Sequence, residues 1–286
     1  MFVIAGVTGH VGSVVASELL AHGEKVKVLV RDSAKGLAWS KRGAEVSVGK
    51  LEDTAFLAGA LRGATGFFTL LPPNYTIATG VLGFQKKTAD AIAAAVKQSG
   101  VPHVVLLSSV GADLPSGTGP IQGLHHFENA LRQTGTKLTA IRAGYFQENV
   151  GNSLAPAKNA GIFPNMTPSA DYPMPMIATR DIGLLAASEL MLPASKSDVV
   201  DLSGPAYSIR QVAEKLGAAL GKKLNVVDVP PQGQAAAMVQ GGMSPEWAAL
   251  FAEMNAAFAS GAIQPKGDRQ KTGRTTLDTV VKTIVA

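Results

Sequence analysis

Residues Phe2-Val3-Ile4-Ala5 run without a break into Gly6-Val7-Thr8-Gly9-His10-Val11-Gly12, and a helical stretch follows over 11–20 before Gly23. Few segments restrict a fold more tightly. Four residues suited to a buried strand must turn at once into a helix, and glycines at these spacings let the backbone double back. The turn also brings main chain close to whatever lies at the helix start. There, unpaired N–H groups and the positive end of the helix dipole attract phosphate. Three glycines alone are a weak signal, but strand, turn and helix together supply the context that a dinucleotide-binding fingerprint requires. Gly6, Thr8, Gly9, His10, Val11 and Gly12 are therefore expected to hold a pyrophosphate. A plain connecting turn has no need of three such glycines.

The pattern repeats over the first 140 residues. Strand-like runs at 25–30, 44–48, 66–71, 103–107 and 137–142 each follow a glycine able to end a helix. Helical stretches lie between them at 54–61, 88–98 and 123–134, the last with Leu124, Phe127 and Leu131 on one face. This alternation predicts an α/β fold: a doubly wound parallel sheet with helices on both faces and the ligand beyond the carboxyl ends of the strands. After Arg142 the rhythm changes. Residues 150–178 are rich in Pro, Asn, Met and Gly and show no sustained period. A helix is then expected over 179–192 and a strand over 198–202 that rejoins the sheet. A capped helix over 208–220, a short strand over 224–229 and mostly helical sequence to residue 260 follow. The expected division is a Rossmann domain over 1–149, to which 179–203 returns, and a smaller substrate lobe over 150–286.

A chain of 286 residues with 46% hydrophobic content can bury the core of such a protein. It has no cysteine, which excludes disulfides, thiolate metal sites and a cysteine nucleophile, and no metal is expected. With a strand from residue 2 and no apolar run of membrane-spanning length, the expectation is a cytoplasmic protein, monomeric or a homodimer. The net charge of +5 is spread over small groups at 31–35, 86–87, 222–223 and 266–274 rather than gathered among aromatics. That distribution reads as solvated faces and support for an anionic cofactor, with nucleic acid not expected as a partner.

The end of the second strand selects the dinucleotide. An acidic residue there accepts from the ribose of NAD, whereas arginine pairs with the 2′-phosphate of NADP. Arg31 takes the first position past the strand and Lys35 lies one helical turn on, which favours NADPH over NADH. Asp32 keeps the other choice open, because a shift of one residue restores the NAD pattern.

Four stretches together resemble the NmrA-like group of atypical short-chain dehydrogenases. They are Gly6 to Gly12, Arg31-Asp32-Ser33-Ala34-Lys35, Ser108-Ser109-Val110-Gly111-Ala112-Asp113, and Ile141-Arg142-Ala143-Gly144-Tyr145-Phe146-Gln147-Glu148-Asn149. The later Thr179-Arg180-Asp181-Ile182 and Leu202-Ser203-Gly204-Pro205 fit as well. That group includes NADPH-dependent quinone reductases, triphenylmethane-dye and azo-dye reductases, and redox-sensing regulators. The resemblance implies that Leu70, Leu71 and Pro72 line the cofactor. It places Ser108 beside the nicotinamide, with Tyr145, Phe146 and Asn149 flanking nicotinamide and substrate. One departure is visible: Lys50 stands where relatives place an aspartate near the adenine, and no adenine contact is carried onto it.

Standard short-chain dehydrogenases donate a proton from a tyrosine whose pKa is lowered by a lysine four residues on, with a serine orienting the carbonyl. Between Ser108 and Tyr145 this chain has no tyrosine, and Lys137 is its only lysine. His125 and His126 are the candidate proton donors in that stretch, or else ordinary polar residues of a helix. Ser108 is either an orienting group or a partner for backbone, and Tyr145 either a donor or, preferably, a wall of the pocket. Electron-poor conjugated acceptors take hydride with little acid assistance and collect a proton from water afterwards. A conjugated, aromatic acceptor such as a quinone or azo compound is therefore the expected substrate of an NADPH-dependent oxidoreductase. Met166, Pro173, Met174, Pro175, Met176, Met243, Trp247 and Phe251 are available as an adaptable apolar wall. The alternative is a non-catalytic NADP-binding redox sensor, for which the missing pair argues equally. A sugar-nucleotide epimerase or dehydratase is disfavoured, since it needs that pair.

Overall fold

A computed structural model describes all 286 residues. Six strands alternate with five helices in the first half. The strands are β1 (Phe2–Ile4), β2 (Val26–Val30), β3 (Glu45–Val48), β4 (Gly66–Leu70), β5 (His103–Ser109) and β6 (Lys137–Ala143). The helices are α1 (His10–Ala21), α2 (Ser33–Ser40), α3 (Thr54–Leu61), α4 (Val81–Ser99) and α5 (Gln122–Arg132). Two later strands, Asp198–Ser203 and Arg269–Thr272, join the same sheet, and all eight run parallel. From one edge the order is Arg269–Thr272, Asp198–Ser203, β6, β5, β4, β1, β2, β3. Chain direction across the sheet reverses between β1 and β4. Such a reversal opens a crevice beyond the strand ends.

Strand alternation divides the core between two faces. Ile4, Val28, Phe68, Val105 and Ile141 pack beneath α1 and the helix Thr179–Met191. Val3, Phe67, Val104, Leu106 and Leu138 pack beneath α3, α4 and α5. Adjacent Phe67 and Phe68 thus point to opposite faces, and both are fully buried. Each such side chain contributes about 1.5–3 kcal/mol of transfer free energy. Gly183 lets Thr179–Met191 settle against α1, since a Cβ there would lie 2.5 Å from Val14 Cβ.

The expected doubly wound sheet forms, and several elements differ in extent. α4 begins at Val81 rather than 88, because Gly80 ends the preceding loop and Glu246 accepts from the first helical N–H groups. The 150–178 stretch holds short strands: Ile162–Asn165 pairs with Asn225–Asp228, and Met174–Ile177 lies between Tyr145–Phe146 and Ala206–Tyr207. Arg269–Thr272 was not expected as a strand. Its sequence, Arg-Gln-Lys-Thr, lacks an apolar alternation, and side chains anchor it instead. Arg269 donates to both Glu189 oxygens and to Asp198, while Gln270 donates to Asp201.

Helices Leu154–Ala160, Ile209–Leu220 and Leu277–Val285 share a third core with the short strands. Helices Pro231–Gln240 and Pro245–Ala259 complete the chain's second half. The second of these lies across loops at the carboxyl edge of the sheet. Trp247 and Leu250 pack with Val81, and Ala257 packs with Val110, Ala112 and Ile121. No helix is long and apolar enough to cross a membrane.

Candidate functional site

The glycine turn has the geometry that its sequence demands. Gly6 adopts φ +70°, a left-handed conformation closed to most residues, and Gly9 N–H bonds back to Gly6 O at 2.9 Å. Gly12 serves a different need. A Cβ there would lie 2.5 Å from the Gly6 carbonyl, so only glycine lets α1 start against the turn. A Cβ on Gly9 would meet nothing closer than 3.4 Å, and Thr8, Gly9 and His10 are exposed. No side chain caps α1 and no acidic residue sits in its first turn. The first N–H groups of α1 are thus left for an outside acceptor, as an anionic diphosphate would be. Val11 is buried and takes part in the core rather than facing that acceptor through its side chain.

A pocket of about 110 Å³ opens beside this turn, between the ends of β2, β3 and β4. Gly6, Thr8, Arg31, Leu70 and Pro72 line it, as do Gly49, Leu51 and Glu52, which the sequence reading did not select. The signal for the last three is their position just past β3. Leu71 is half-buried and packs onto the opposite face of the sheet. Val30 pairs with Val48 as the last residue of β2, so Arg31 is the first residue beyond it. Asp32 is engaged elsewhere: its Oδ1 accepts from Ala34 N–H at 2.9 Å and caps α2. Arg31 and Lys35 are exposed at that same helix start and carry no ion pair. Two cations and a positive helix end stand here against two carboxylates, Asp32, committed to the cap of α2, and Glu52, on the far side of the same pocket.

The residues expected near the nicotinamide are arranged differently. Ser108 is 3% exposed and its Oγ donates to Glu128 Oε1 at 2.6 Å, toward α5. Glu128 is 0% exposed and accepts from Arg142 at 2.9 and 2.8 Å and from Arg132 at 2.7 Å. Burial pushes the Glu128 carboxyl up, but the Arg142 bonds, helped by Ser108 and Arg132, outweigh it and hold the group below its usual range. This network ties β5, β6 and α5 together. It commits the Ser108 hydroxyl proton to Glu128.

His125 Nδ1 lies 2.9 Å from Ala112 O, and Nε2 lies 3.0 Å from Asn129 Nδ2. Arg132 donates to Asn129 Oδ1 at 3.2 Å, so the amide nitrogen faces the ring. Both ring nitrogens of His125 are thus occupied by partners within the protein. His126 faces away, with Nε2 2.5 Å from Asp90 on α4. His125 thus lies against the loop after β5 and His126 against α4, each held by a partner within the protein.

Tyr145 remains. It is 40% exposed, yet desolvation raises its pKa against a smaller lowering by a bond from Asn149. A raised pKa makes Tyr145 a poorer acid than free tyrosine, the reverse of the lysine-assisted donor. Phe146 is half-buried against the core below α1. Gln147 and Glu148, in the same motif, act as braces. Gln147 donates to Met176 O and Thr275 O, and Glu148 accepts from Thr179 at the start of its helix.

The expected methionine wall is split. Met176 is buried and Met174 half-buried within the third core, whereas Met243, Trp247 and Phe251 gather against the loop after β4. The two groups belong to separate apolar clusters. Met176 pairs with Tyr145 just past β6, and Trp247 packs on the loop after β4, so the two groups flank the carboxyl edge from different sides.

The model of the NmrA-like family matches residues 1–275. An NAD(P)H azoreductase from Xenophilus azovorans is 28% identical over 260 residues, which cover 91% of this chain and 86% of that protein. Among solved structures, a triphenylmethane reductase from Citrobacter sp. superposes with a TM-score of 0.82 at 19% identity, covering 99% of each chain. An NADPH-dependent quinone oxidoreductase from Escherichia coli, complexed with NADPH, superposes with a TM-score of 0.75 at 22% identity, covering 100% of each. At such identities the structural likenesses show a shared fold. With the family model spanning nearly its full length, the chain belongs to the NmrA-like family.

Proposed function

We propose that this protein is an NADPH-dependent reductase that delivers hydride to a conjugated aromatic acceptor such as a quinone or azo compound. The observation that carries the reading is the pairing of an open phosphate turn with an anion-favouring corner at Arg31, in a chain whose proton-donor candidates are tied up. Relatives described as an azoreductase and as a dye and a quinone reductase point the same way. Gly6, Thr8, Gly9 and the start of α1 bind the pyrophosphate through main-chain N–H groups. Arg31, with Lys35, takes the 2′-phosphate, and Leu51 and Glu52 border the adenosine. Leu70 and Pro72 line the route toward the end of β4, and Tyr145, Phe146 and Asn149 wall the nicotinamide side. NADPH, when bound, supplies the hydride. The protein supplies position, a dry cleft and no strong acid.

Mixing the protein with NADPH and a panel of quinones and azo dyes tests this. Loss of absorbance at 340 nm that depends on the acceptor supports a reductase. Tight NADPH binding with no turnover on any acceptor would make the protein a sensor instead. Failure to bind either nicotinamide nucleotide would remove both readings.

A further inference from the structure

The loop after β4 carries a device that cofactor binding does not require. Asn74 Oδ1 accepts from Thr76 N–H at 3.3 Å and from Thr76 Oγ1 at 2.6 Å, and Ile77 N–H bonds to Asn74 O at 3.2 Å. The resulting turn is clamped by Pro245–Ala259. Trp247 Nε1 donates to Asn74 O at 3.2 Å and Ser244 Oγ to Ile77 O at 3.4 Å. The Glu246 carboxylate takes Gly80 N–H at 2.7 Å and Val81 N–H at 2.8 Å.

These clamps hold Tyr75. Its ring centroid lies 5.0 Å from Trp247 and 6.4 Å from Phe251, and Trp247 stacks on Phe251 at 5.8 Å. Trp247 is 3% exposed, but Tyr75 is 56% exposed. An isolated exposed aromatic is commonplace. One backed by the buried ring of Trp247 and the half-buried ring of Phe251, in a loop fixed by hydrogen bonds on both sides, is pre-organised for contact.

Its place in the fold suggests the contact. Strands β4, β5 and β6 are neighbours, and Tyr75 and Tyr145 leave the sheet just past β4 and β6. The two loops are rooted about 10 Å apart, one strand spacing on each side of β5. Pro245–Ala259 crosses above, packing on Val110 and Ala112 at the end of β5.

We propose that Tyr75 is a specificity-determining shelf on which a flat, multi-ring acceptor stacks, with Trp247 and Phe251 holding the ring from behind. The identity of the ligand as an electron acceptor rests on the reductase reading. The shelf itself rests on the aromatic geometry. Stacking on a ring of this kind changes affinity by up to about tenfold. The penalty for its loss should grow with the number of fused rings.

Two measurements on the full chain decide this. In the first, KM is measured with NADPH for 1,4-benzoquinone, 1,4-naphthoquinone and 9,10-phenanthrenequinone. Tyr75→Ala should raise KM for phenanthrenequinone about tenfold and progressively less for the smaller rings, and Tyr75→Phe should restore the wild-type order. Equal effects on all three, or none, would overturn the shelf. In the second, Trp39→Phe leaves Trp247 as the sole tryptophan, and phenanthrenequinone is titrated with NADP⁺ present. Saturable quenching that Tyr75→Ala weakens about tenfold and Tyr75→Phe preserves supports the shelf even if no acceptor is turned over. Turnover without Tyr75-dependent quenching would keep the reductase and discard the shelf. NADP⁺ binding by Tyr75→Ala serves as the folding control, and Tyr75→Leu, expected to lose the ring-size order, replaces it if that control fails.

Discussion

Replacing Glu128 with glutamine should destabilise the protein without abolishing whatever chemistry it performs. The carboxylate is wholly buried and accepts hydrogen bonds from Ser108, Arg132 and Arg142. Glutamine fits the space but turns an amide N–H₂ toward guanidinium donors. Arg142, itself buried, would lose its one bidentate partner and keep only the weaker pull of Asp113, at 3.7 Å, and Asp201. Breaking one side of a buried pair costs about 3–5 kcal/mol. Unfolding entropy is about 2.1 cal/mol/K per residue. For a chain of 286 residues that amounts to about 0.6 kcal/mol/K. The melting temperature should therefore fall by about 5–8 °C, measured by calorimetry with nucleotide absent. The effect also has a pH signature. Arg142 and its companions hold the carboxyl below its unfolded value, so its stabilisation is full above about pH 4.3. It disappears as pH falls through the depressed folded pKa. Wild type and Glu128→Gln should thus converge in stability at acid pH and diverge above it. A melting shift under 2 °C at neutral pH, or a constant gap down to pH 3, would refute this account of the network.

Arg31→Ala should weaken NADPH binding by about 1.5–3 kcal/mol, or ten- to hundredfold in Kd, and change NADH binding by less than threefold. Calorimetric titration with both nucleotides checks this, and equal losses would sink the assignment of Arg31 to the 2′-phosphate. Gly12→Ala and Gly9→Ala should separate fold from function. The first forces a Cβ against the Gly6 carbonyl and should lower the melting temperature as well as nucleotide affinity, whereas the second should weaken affinity alone. An unchanged melting temperature for Gly12→Ala would contradict the packing. His125→Ala and His126→Ala should each leave kcat within threefold of wild type between pH 6 and 8, since both rings are engaged in structural contacts. A tenfold fall for either would restore it as a proton donor.

What could be read from the sequence divides along physical lines. The sheet was legible because fully buried parallel strands such as Val26–Val30 and His103–Ser109 are nearly continuous apolar runs bounded by glycines. The phosphate turn was legible because its constraint is local: Gly6 and Gly12 answer to each other across six residues. Side-chain commitments were not legible. Nothing near Ser108 announces that its hydroxyl is taken by Glu128, twenty residues on, or that Arg142 completes the pair. The edge strand Arg269–Thr272 was invisible for a related reason. Its place is fixed by Glu189 and Asp198, residues 70 to 80 positions away, rather than by a pattern of its own. Glu246 and Trp247 gave no hint that they fasten the loop after β4.

The proton balance at the carboxyl edge connects these observations to the proposed chemistry. Reducing an isolated ketone leaves an alkoxide, whose charge calls for an acid at the moment of hydride arrival. Each group that could serve has another commitment. Ser108 is held by Glu128, His125 is held between Ala112 and Asn129, and His126 pairs with Asp90 across the α4–α5 interface. Tyr145 has access, but desolvation moves it away from donation. An acceptor that spreads the incoming charge over a conjugated ring does not need such an acid, because its anion is stable enough to collect a proton from solvent. The same planarity that delocalises the charge gives the acceptor two flat faces. The carboxyl edge offers exposed ring surface at Tyr75 and Tyr145, on either side of β5. A site poor in acids and furnished with aromatic faces discriminates by shape and stacking, and such discrimination favours a class of flat molecules over any single one.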